Sequence, residues 1–173
     1  MTAEAILVHL GLGSNLGDRK KFLNMACNHL RSEAVRGFRA SSIYESEPLL
    51  KMPQPKYFNM VVCGLTVLSP PDLLKKCQQI EIISGRIPRE RWGSREIDID
   101  MLSSGSRIIH NDDLVIPHPE IENRSFVLMP MLEVRPEWLH PETGITIKEL
   151  WENWLLKHEG QETLPVITKD KSS

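Results

Sequence analysis

The chain has 173 residues, of which 40% are hydrophobic and 25% are charged, which suits one globular domain with its own core. Its formal net charge of −2 argues against a general nucleic-acid-binding surface, which would carry an excess of lysine and arginine. The apolar run at residues 5–12 is interrupted by His9 and is too short to span a membrane, and no signal peptide is evident. We therefore expect a cytoplasmic protein, monomeric, with no membrane and no nucleic-acid partner.

The three cysteines are widely spaced and odd in number. Cys27, Cys63 and Cys77 each lie within an apolar pattern. This is typical of reduced core residues, and it indicates neither a disulfide framework nor a zinc site.

The first predicted strand, residues 6–12, runs into the glycine-rich segment G-L-G-S-N-L-G at residues 11–17. The spacing G-x-G-x-x-x-G is a weak signal for dinucleotide binding. We interpret the glycines as permitting a tight turn in which Asn15 ties the backbone. Apolar residues at three- and four-residue spacing then predict a helix from Asp18 to near Gly37.

A second strand is predicted at residues 38–44, followed by a proline-rich loop at 45–56 and a third strand at 57–68. Asn59 is polar among apolar neighbours, and it either satisfies nearby backbone groups or contacts a ligand. The S-P-P-D sequence at 69–72 predicts the start of a second helix, which extends to Gly85. Glu81 near its end is unfavourable for the helix dipole, which hints at another role.

Strand–helix–strand thus occurs twice, the order of a ferredoxin-like βαββαβ core. The predicted fold class is α+β, with an antiparallel sheet, two helices on one face, and extra C-terminal strands and short helices. The fourth strand is expected at the centre of the sheet, over its uncovered face. Beyond it we predict a short strand at 107–110, a helix at 122–132 and a packing helix at 148–156. Residues 1–160 are expected to form one domain, and 161–173 a polar, frayed tail.

Residues 85–102 read G-R-I-P-R-E-R-W-G-S-R-E-I-D-I-D-M-L and combine two kinds of site residue. In the predicted fourth strand, Asp98 and Asp100 project from one face while the isoleucines enter the core. Two carboxylates at this spacing suit two Mg²⁺ ions roughly 3.5–4 Å apart. Four arginines around Trp92 suit phosphate groups, so the segment predicts a nucleotide site. The structural alternatives are a solvated strand face, or arginines that neutralise the two carboxylates in the resting protein.

Five separated segments together resemble the 6-hydroxymethyl-7,8-dihydropterin pyrophosphokinase family. They are G-S-N-x-G near the start, Y-E-S-E-P at 44–48, Y-F-N at 57–59, G-R…R-W-G-S-R-E-I-D-I-D, and I-P-H-P-E-I-E-N-R-S-F-V-L at 116–128. The resemblance covers residues 5–140 and implies a ferredoxin-like α+β fold. It also implies transfer of pyrophosphate from ATP to the hydroxymethyl group of the pterin in folate biosynthesis, with release of AMP.

The resemblance further implies that Asp98 and Asp100 bind two Mg²⁺ ions, and that Arg86 and Arg95 stabilise the charge that develops on the phosphates. Arg91 and Trp92 would belong to a mobile loop that closes over the substrates. The positions that match the nucleotide contacts of the family are Gln78, Glu81, Arg86, Arg91, Trp92, Arg95, Met101, His118 and Arg124, some of them through backbone. The role of Arg89 in this loop stays open.

On the pterin side, the resemblance implies that Tyr57 and Phe126 sandwich the flat ring, while Asn59 contacts its polar edge. Ser46, Leu49 and Trp92 complete the implied pterin pocket. Two rival functions remain. One is an RNA-binding ferredoxin-like module, which the net charge and the lack of an aromatic-rich motif disfavour. The other is a pterin-binding protein without turnover, which the two aspartates and the two arginines disfavour.

Overall fold

The computed structural model describes residues 4–50, 52–160 and 164–168. These residues contain eight strands and four α-helices. The strands are β1 Ile6–Ser14, β2 Arg36–Ala40, β3 Tyr44–Ser46, β4 Tyr57–Thr66, β5 Asp98–Ser104, β6 Ile109–His110, β7 Val115–Ile116 and β8 Val166–Ile167. The helices are α1 Arg19–Glu33, α2 Pro70–Ile83, α3 Ser125–Val134 and α4 Ile147–Lys157, with a 3₁₀ helix at Ile121–Asn123.

The main sheet has the order β5-β1-β4-β3-β8, with β2 also paired to β4, and all these pairs are antiparallel. The α+β class and the βαββαβ order are confirmed. The expected central position of the aspartate strand is wrong, because β5 pairs only with β1 among the described strands. The inner side of β1 is already occupied by β4, so β5 can add only at the outer edge.

The local sequence explains where the helices begin. The Asp18 side chain accepts a hydrogen bond from the backbone N–H of Lys21, and Ser69 does the same for Asp72. Two prolines occupy the first turn of α2, where their missing N–H groups leave no intrahelical bond unmade. α1 ends at Glu33 and not near Gly37, because Arg36 already pairs in β2.

Hydrophobic residues fill both faces of the sheet. Against α1 and α2, the buried strand residues Val8, Leu10 and Ile99 pack with the helices. Against α3 and α4, Val61 and Leu102 pack with buried residues of those helices. The expected pair of helices on one face is confirmed, but the opposite face is not uncovered as predicted, since α3 and α4 cover part of it.

Several predicted boundaries change. The strand predicted at 38–44 divides into β2 and β3, with the Ser41 N–H bonded to the Val61 carbonyl between them. The helix predicted at 122–132 is a 3₁₀ turn followed by α3, and the strand predicted at 107–110 is reduced to β6, which pairs with β7. β8 pairs with β3 inside the region expected to be a frayed tail. Residues 161–163 and 169–173 of that region lie outside the described residues.

Over the described ranges, none of the helices has both the length and the apolar character that a membrane span requires.

Candidate active site

Two glycines of β1 form the floor of the site. Gly11 and Gly13 lie in the strand, opposite Asp100 and Asp98 of β5, so their assignment to a tight turn is wrong. A Cβ atom on Gly13 would lie 3.1 Å from Oδ1 of Asn59. Because glycine has no side chain, this part of the sheet surface is free of side-chain atoms, and a cavity lies above it.

This cavity has a volume of about 400 Å³ and opens on the sheet face opposite α1 and α2. Eleven residues that the sequence analysis assigned to the site line it. They are Ser46, Leu49, Tyr57, Asn59, Trp92, Arg95, Asp98, Asp100, His118, Arg124 and Phe126. These residues come from β3, β4, β5, α3 and the loops between them, so the fold assembles segments that are far apart in sequence.

Five other predicted residues do not line the cavity. Arg86 and Glu81 lie behind β5 and reach Asp98 and Ile99. Met101 is 4% exposed and packs in the core against α1 and α2. Gln78 is exposed on α2, and the exposed Arg91 lies with its guanidinium 5.3 Å from the centre of the Trp92 ring. Nucleotide contacts by these residues remain predictions.

The two aspartates are in different electrostatic states. Arg95 donates to both carboxylate oxygens of Asp98, at 3.0 and 2.7 Å, and Arg86 approaches the same carboxylate at 3.2 Å. Asp100 is exposed and has no ion pair within the described ranges. Neutralisation by arginine, one of the structural alternatives, therefore holds for Asp98 and not for Asp100.

Burial and the neighbouring charge of Asp100 raise the pKa of Asp98, and the two arginines act against this rise. The same burial affects Tyr57, whose pKa is raised by desolvation and then by the nearby Asp98. Negative charge at the mouth of the cavity is thus poorly hydrated.

Glu81 is a buried carboxylate that connects α2 to the start of β5. It accepts a hydrogen bond of 2.7 Å from the Ile99 N–H at the start of β5 and a close one from Arg86. Desolvation raises its pKa to about 7, although the Ile99 N–H and Arg86 favour the charged form. Its unfavourable position near the end of α2 was the sequence signal, and the structure shows that it orients Arg86.

Glu96 was not identified from the sequence. It is buried, and it accepts from Arg89 at 2.5 Å and from the Ile87 N–H at 3.3 Å. The carboxylate therefore secures the arginine-rich loop, and Arg89 has a structural partner. Alternation alone placed Glu96 on the polar face with Asp98 and Asp100. Only the folded structure shows that the arginine-rich loop covers Glu96 and buries it.

The apolar half of the cavity has flat side chains. Tyr57 at the start of β4 and Phe126 at the start of α3 both line it. Asn59 is buried and donates from Nδ2 to the Ser46 hydroxyl at 2.7 Å. Leu49 lies on the rim, 64% exposed.

His118 follows the cis peptide bond between Ile116 and Pro117. Its Nδ1 accepts from the Glu120 N–H at 3.2 Å, and its own N–H donates to the Leu102 carbonyl at 2.9 Å. Burial lowers the pKa of the imidazole, although the charge of Asp100 acts in the opposite direction. The ring is thus held at the edge of β5, near the aspartates.

The donor set fits Mg²⁺ bound together with phosphate. In the ranges that the structure describes, no group of three or more His, Cys, Asp or Glu side chains could hold a metal by itself. Mg²⁺ commonly takes one or two carboxylates from the protein and completes its octahedron with substrate phosphates and water. Asp98 and Asp100 supply oxygen donors of that kind beside two arginines.

Comparisons with known proteins identify the family of the chain. The family described as 7,8-dihydro-6-hydroxymethylpterin-pyrophosphokinase (HPPK) matches residues 9–136. The chain belongs to this family. Two pyrophosphokinases named for 2-amino-4-hydroxy-6-hydroxymethyldihydropteridine are similar to it. The one from Synechocystis is 40% identical over 83% of this chain and 73% of its own length, and that from Aquifex aeolicus is 39% identical over 82% and 88%.

Longer HPPK relatives are also similar. The folic acid synthesis protein fol1 of Pneumocystis carinii is 38% identical over 95% of this chain, which spans only 22% of that protein. Solved HPPK-DHPS from Plasmodium falciparum, with SDX-DHP, superposes with a TM-score of 0.73 and 16% identity. That alignment covers 91% of this chain and 46% of the other, and it supports the fold.

Proposed function

We propose that this chain transfers pyrophosphate from ATP to the hydroxymethyl group of 6-hydroxymethyl-7,8-dihydropterin, with release of AMP, in folate biosynthesis. One observation carries the proposal: Asp98, Asp100 and Arg95 line the same cavity as Tyr57 and Phe126. Charged groups that suit a polyphosphate and aromatic groups that suit a flat ring thus share one space.

The reaction joins the two halves of this cavity. The hydroxymethyl oxygen attacks the β-phosphorus of ATP and loses its proton. The bond from the β-phosphorus to the oxygen that bridges it to the α-phosphorus breaks, and AMP leaves with that oxygen. Such transfers depend mainly on holding the reactants in line and on stabilising charge on the phosphate oxygens.

Arg86 and Arg95 are proposed to act on the phosphates. In the free protein both pair with Asp98, so their guanidinium groups already lie beside a carboxylate that lines the cavity. Binding of the nucleotide exchanges these pairs, and the arginines turn from Asp98 to phosphate oxygens. Arginine suits this role because its planar guanidinium binds phosphate through two parallel hydrogen bonds.

Asp98 and Asp100 are proposed to hold two Mg²⁺ ions. The ions would neutralise the triphosphate and lower the pKa of the attacking hydroxyl group. Asp100, exposed and without an ion pair among the described residues, is available first, and Asp98 becomes available when its arginines leave.

Tyr57 and Phe126 are proposed to stack on the two faces of the pterin, with Asn59 and Ser46 at its polar edge. Leu49 and Trp92 would cover the ring. Gln78, Glu81, Arg91, Met101, His118 and Arg124 are proposed on the nucleotide side, where Glu81 acts by orienting Arg86. The loop with Arg91 and Trp92 closes over both substrates.

A cytoplasmic location and a monomeric state belong to the proposal as well. The described cysteines Cys27, Cys63 and Cys77 are buried and free, which agrees with a reducing compartment.

The test is phosphorus NMR of the purified chain with ATP, the pterin and Mg²⁺. AMP and the pterin pyrophosphate should form in equal amounts, and omission of Mg²⁺ or of the pterin should abolish both products. Formation of ADP with a pterin monophosphate would contradict the transfer of pyrophosphate. Binding of the pterin with no AMP would favour a binding protein without turnover.

A further inference from the structure

The proposed pterin pocket has two walls that come from different layers of the fold. One wall is the sheet, where Tyr57 and Asn59 of β4 and Ser46 of β3 line the cavity. The other wall is α3, which covers part of that sheet face and places Phe126 in the same cavity. The width of the pocket therefore depends on the position of α3 relative to β3 and β4.

Tyr44 lies on the pocket side of β3 but outside the cavity. In the antiparallel register Tyr44 is opposite Asn59, and Ser46 is opposite Tyr57. Residues opposite each other point to the same face of a sheet, so Tyr44 points towards the layer that contains α3. Tyr44 is 5% exposed, and a buried phenol hydroxyl usually has a hydrogen-bond partner.

That partner is Glu133, near the end of α3. Its Oε2 accepts from the Tyr44 hydroxyl at 2.6 Å, and its Oε1 accepts from the Ser42 N–H and the Ser42 hydroxyl, both at 2.9 Å. Burial and then this carboxylate raise the pKa of the Tyr44 phenol, so the hydroxyl group remains a donor. Hydrogen bonds to an ionised carboxylate are roughly twice as strong as those between neutral groups. Although Glu133 is exposed, its contact with a buried tyrosine connects α3 to the start of β3.

The donors of this contact belong to a fixed part of the sheet. The Ser41 N–H donates to the Val61 carbonyl at 2.9 Å, and the Ser41 hydroxyl accepts from the Val61 N–H at 2.9 Å. Ser42 and Tyr44 therefore follow a residue that is bonded to β4 in both directions. If the carboxylate of Glu133 is lost, we expect the helix to shift and the strand to stay in place.

α3 relates this contact to the pocket. Phe126 and Glu133 are just under two turns apart, so they lie on the same face of the helix, about 10 Å apart along its axis. The first turn has little support of its own. Within the described residues Arg124 makes no side-chain capping bond, and Pro130 has no N–H to donate to the Phe126 carbonyl. The position of Phe126 over the sheet therefore depends on tertiary contacts such as those of Glu133.

We propose that Glu133 is a positioning residue for the pterin pocket, which keeps Phe126 at a distance from the sheet wall that fits one flat ring. It contacts neither substrate and acts through its bonds to Ser42 and Tyr44. This inference rests on the proposed function, because it takes the ligand between the two walls to be the pterin. A wider gap would weaken stacking on the ring and leave the phosphate groups of the nucleotide in place.

Calorimetry and steady-state kinetics on the whole chain test this role. The dissociation constant of the Mg²⁺ complex of a non-hydrolysable ATP analogue is measured first, and the pterin is then titrated with the analogue saturating. Glu133→Ala should bind the pterin about 10-fold more weakly, and its affinity for the analogue should change by less than about twofold. In turnover, the KM for the pterin should rise by a similar factor, while kcat at saturating pterin falls by less than about threefold.

Two further variants separate positioning from a general loss of stability. Glu133→Gln keeps one oxygen acceptor and should bind the pterin only about threefold more weakly than the wild type. Tyr44→Phe removes the hydroxyl group and keeps the ring, and it should also weaken pterin binding about threefold. In the Glu133→Ala background Tyr44→Phe should cause no additional loss, because the hydroxyl group acts through the carboxylate. A contact that served stability alone would lower the melting temperature without this difference between the two ligands.

Glu152→Ala is the matched control, because Glu152 is an exposed carboxylate on α4 and lies outside the cavity; it should bind both ligands as the wild type does. Arg39 donates to the Val134 carbonyl at 3.3 Å, a bond that all the variants keep at the end of α3. If Glu133→Ala does not fold, Glu133→Gln and Tyr44→Phe decide the question.

An unchanged pterin affinity, equal losses for the two ligands, or additive losses in the double variant would overturn the positioning role. If the wild type forms AMP while Glu133→Ala keeps its pterin affinity, only this inference fails. A wild type that forms no AMP contradicts the proposed function itself.

Discussion

The same face of β1 and β5 carries two polar clusters in opposite states. At one end, His9 is 1% exposed, its Nδ1 is bonded to the Ser103 hydroxyl at 2.8 Å, and its ring meets Trp138 edge-on at 6.2 Å. At the other end, Asp98 and Asp100 face a cavity of about 400 Å³. Both clusters lie on the same two strands, and they differ in whether another part of the chain covers them. The segment from α3 to Trp138 covers the first cluster and leaves the second open.

A polar residue on a sheet face is structural or functional according to which later part of the chain covers it. Coverage removes the charge from His9, since burial lowers the pKa of the imidazole to about 4. At the open end, Arg86 and Arg95 pair with Asp98, and Asp100 stays exposed. Substitutions at the closed end should therefore change stability, and those at the open end should change turnover.

The largest effect is expected for the aspartates. Asp98→Asn and Asp100→Asn should each lower kcat by about 10³-fold, or ~4 kcal/mol, because the charge that holds the metal is lost. Asp100→Asn should leave the melting temperature unchanged, since Asp100 is exposed and pairs with no described arginine. Steady-state AMP formation and thermal unfolding measure the two quantities.

Asp112→Asn, which changes an exposed aspartate outside the cavity, is the control for this pair. Near-normal turnover in both site variants would show that the two carboxylates are not needed for the reaction.

The closed end should show a pH effect on stability. The pKa of His9 is lowered from 6.5 to about 4, mainly by burial and then by Arg135, while Glu137 acts in the opposite direction. The folded state therefore resists protonation. The lowered pKa of His9 contributes ~3 kcal/mol to the free energy of unfolding. This contribution is fully present above pH 6.5 and is lost as the pH falls towards 4.

Denaturant unfolding of wild type and His9→Leu between pH 7 and pH 4 checks this sign. The wild type should lose more stability over that interval than His9→Leu. Parallel curves for wild type and His9→Leu would show that burial does not control this imidazole.

Within the open end, Tyr57→Ala should weaken pterin binding by about 10- to 100-fold through loss of stacking. The affinity for the nucleotide should change far less, because Tyr57 lines the apolar part of the cavity. Calorimetry with each ligand measures both. Phe58→Ala is the control, since the neighbouring aromatic ring packs on the opposite face of β4, against the core with α1 and α2. Equal losses for the two ligands would contradict the stacking role.

The smallest effect concerns the cavity floor. In Gly13→Ala the new methyl group would lie 3.1 Å from Oδ1 of Asn59 and 3.7 Å from Cδ1 of Tyr57. Asn59 must shift, and pterin affinity should fall by about 5-fold. Gly11→Ala is the matched change, because its methyl group would meet only Leu102, at 3.5 Å. A pterin affinity that is lower in Gly11→Ala than in Gly13→Ala would show that Gly13 is not needed for the pterin pocket.

Local patterns in the sequence were sufficient for part of this structure. Alternation over residues 96–101 placed Asp98 and Asp100 on one face, because the period of a strand is a local property. The helices α1 and α2 followed from spacing and from their caps at Asp18 and Ser69. The resemblance to the pyrophosphokinase family supplied the residues of the cavity, which no local pattern connects.

The predictions that were wrong concern features that depend on contacts between residues far apart in the sequence. The edge position of β5 follows from β4 pairing with β1, and the burial of Glu96 follows from the loop folded over it. Gly11 and Gly13 look like turn residues until their partners across the sheet are known. Asn15 was expected to tie a local turn, and its strongest side-chain bond is to Arg95, far along the chain.

A crystal structure of the chain with Mg²⁺, a non-hydrolysable ATP analogue and the pterin tests the proposed site most directly. Carboxylate oxygens of Asp98 and Asp100 should lie about 2.1 Å from Mg²⁺. Arg86 and Arg95 should have moved from Asp98 onto the phosphates, and the pterin ring should lie between Tyr57 and Phe126. Metal and triphosphate bound elsewhere, with Asp98 still paired to both arginines, would contradict it.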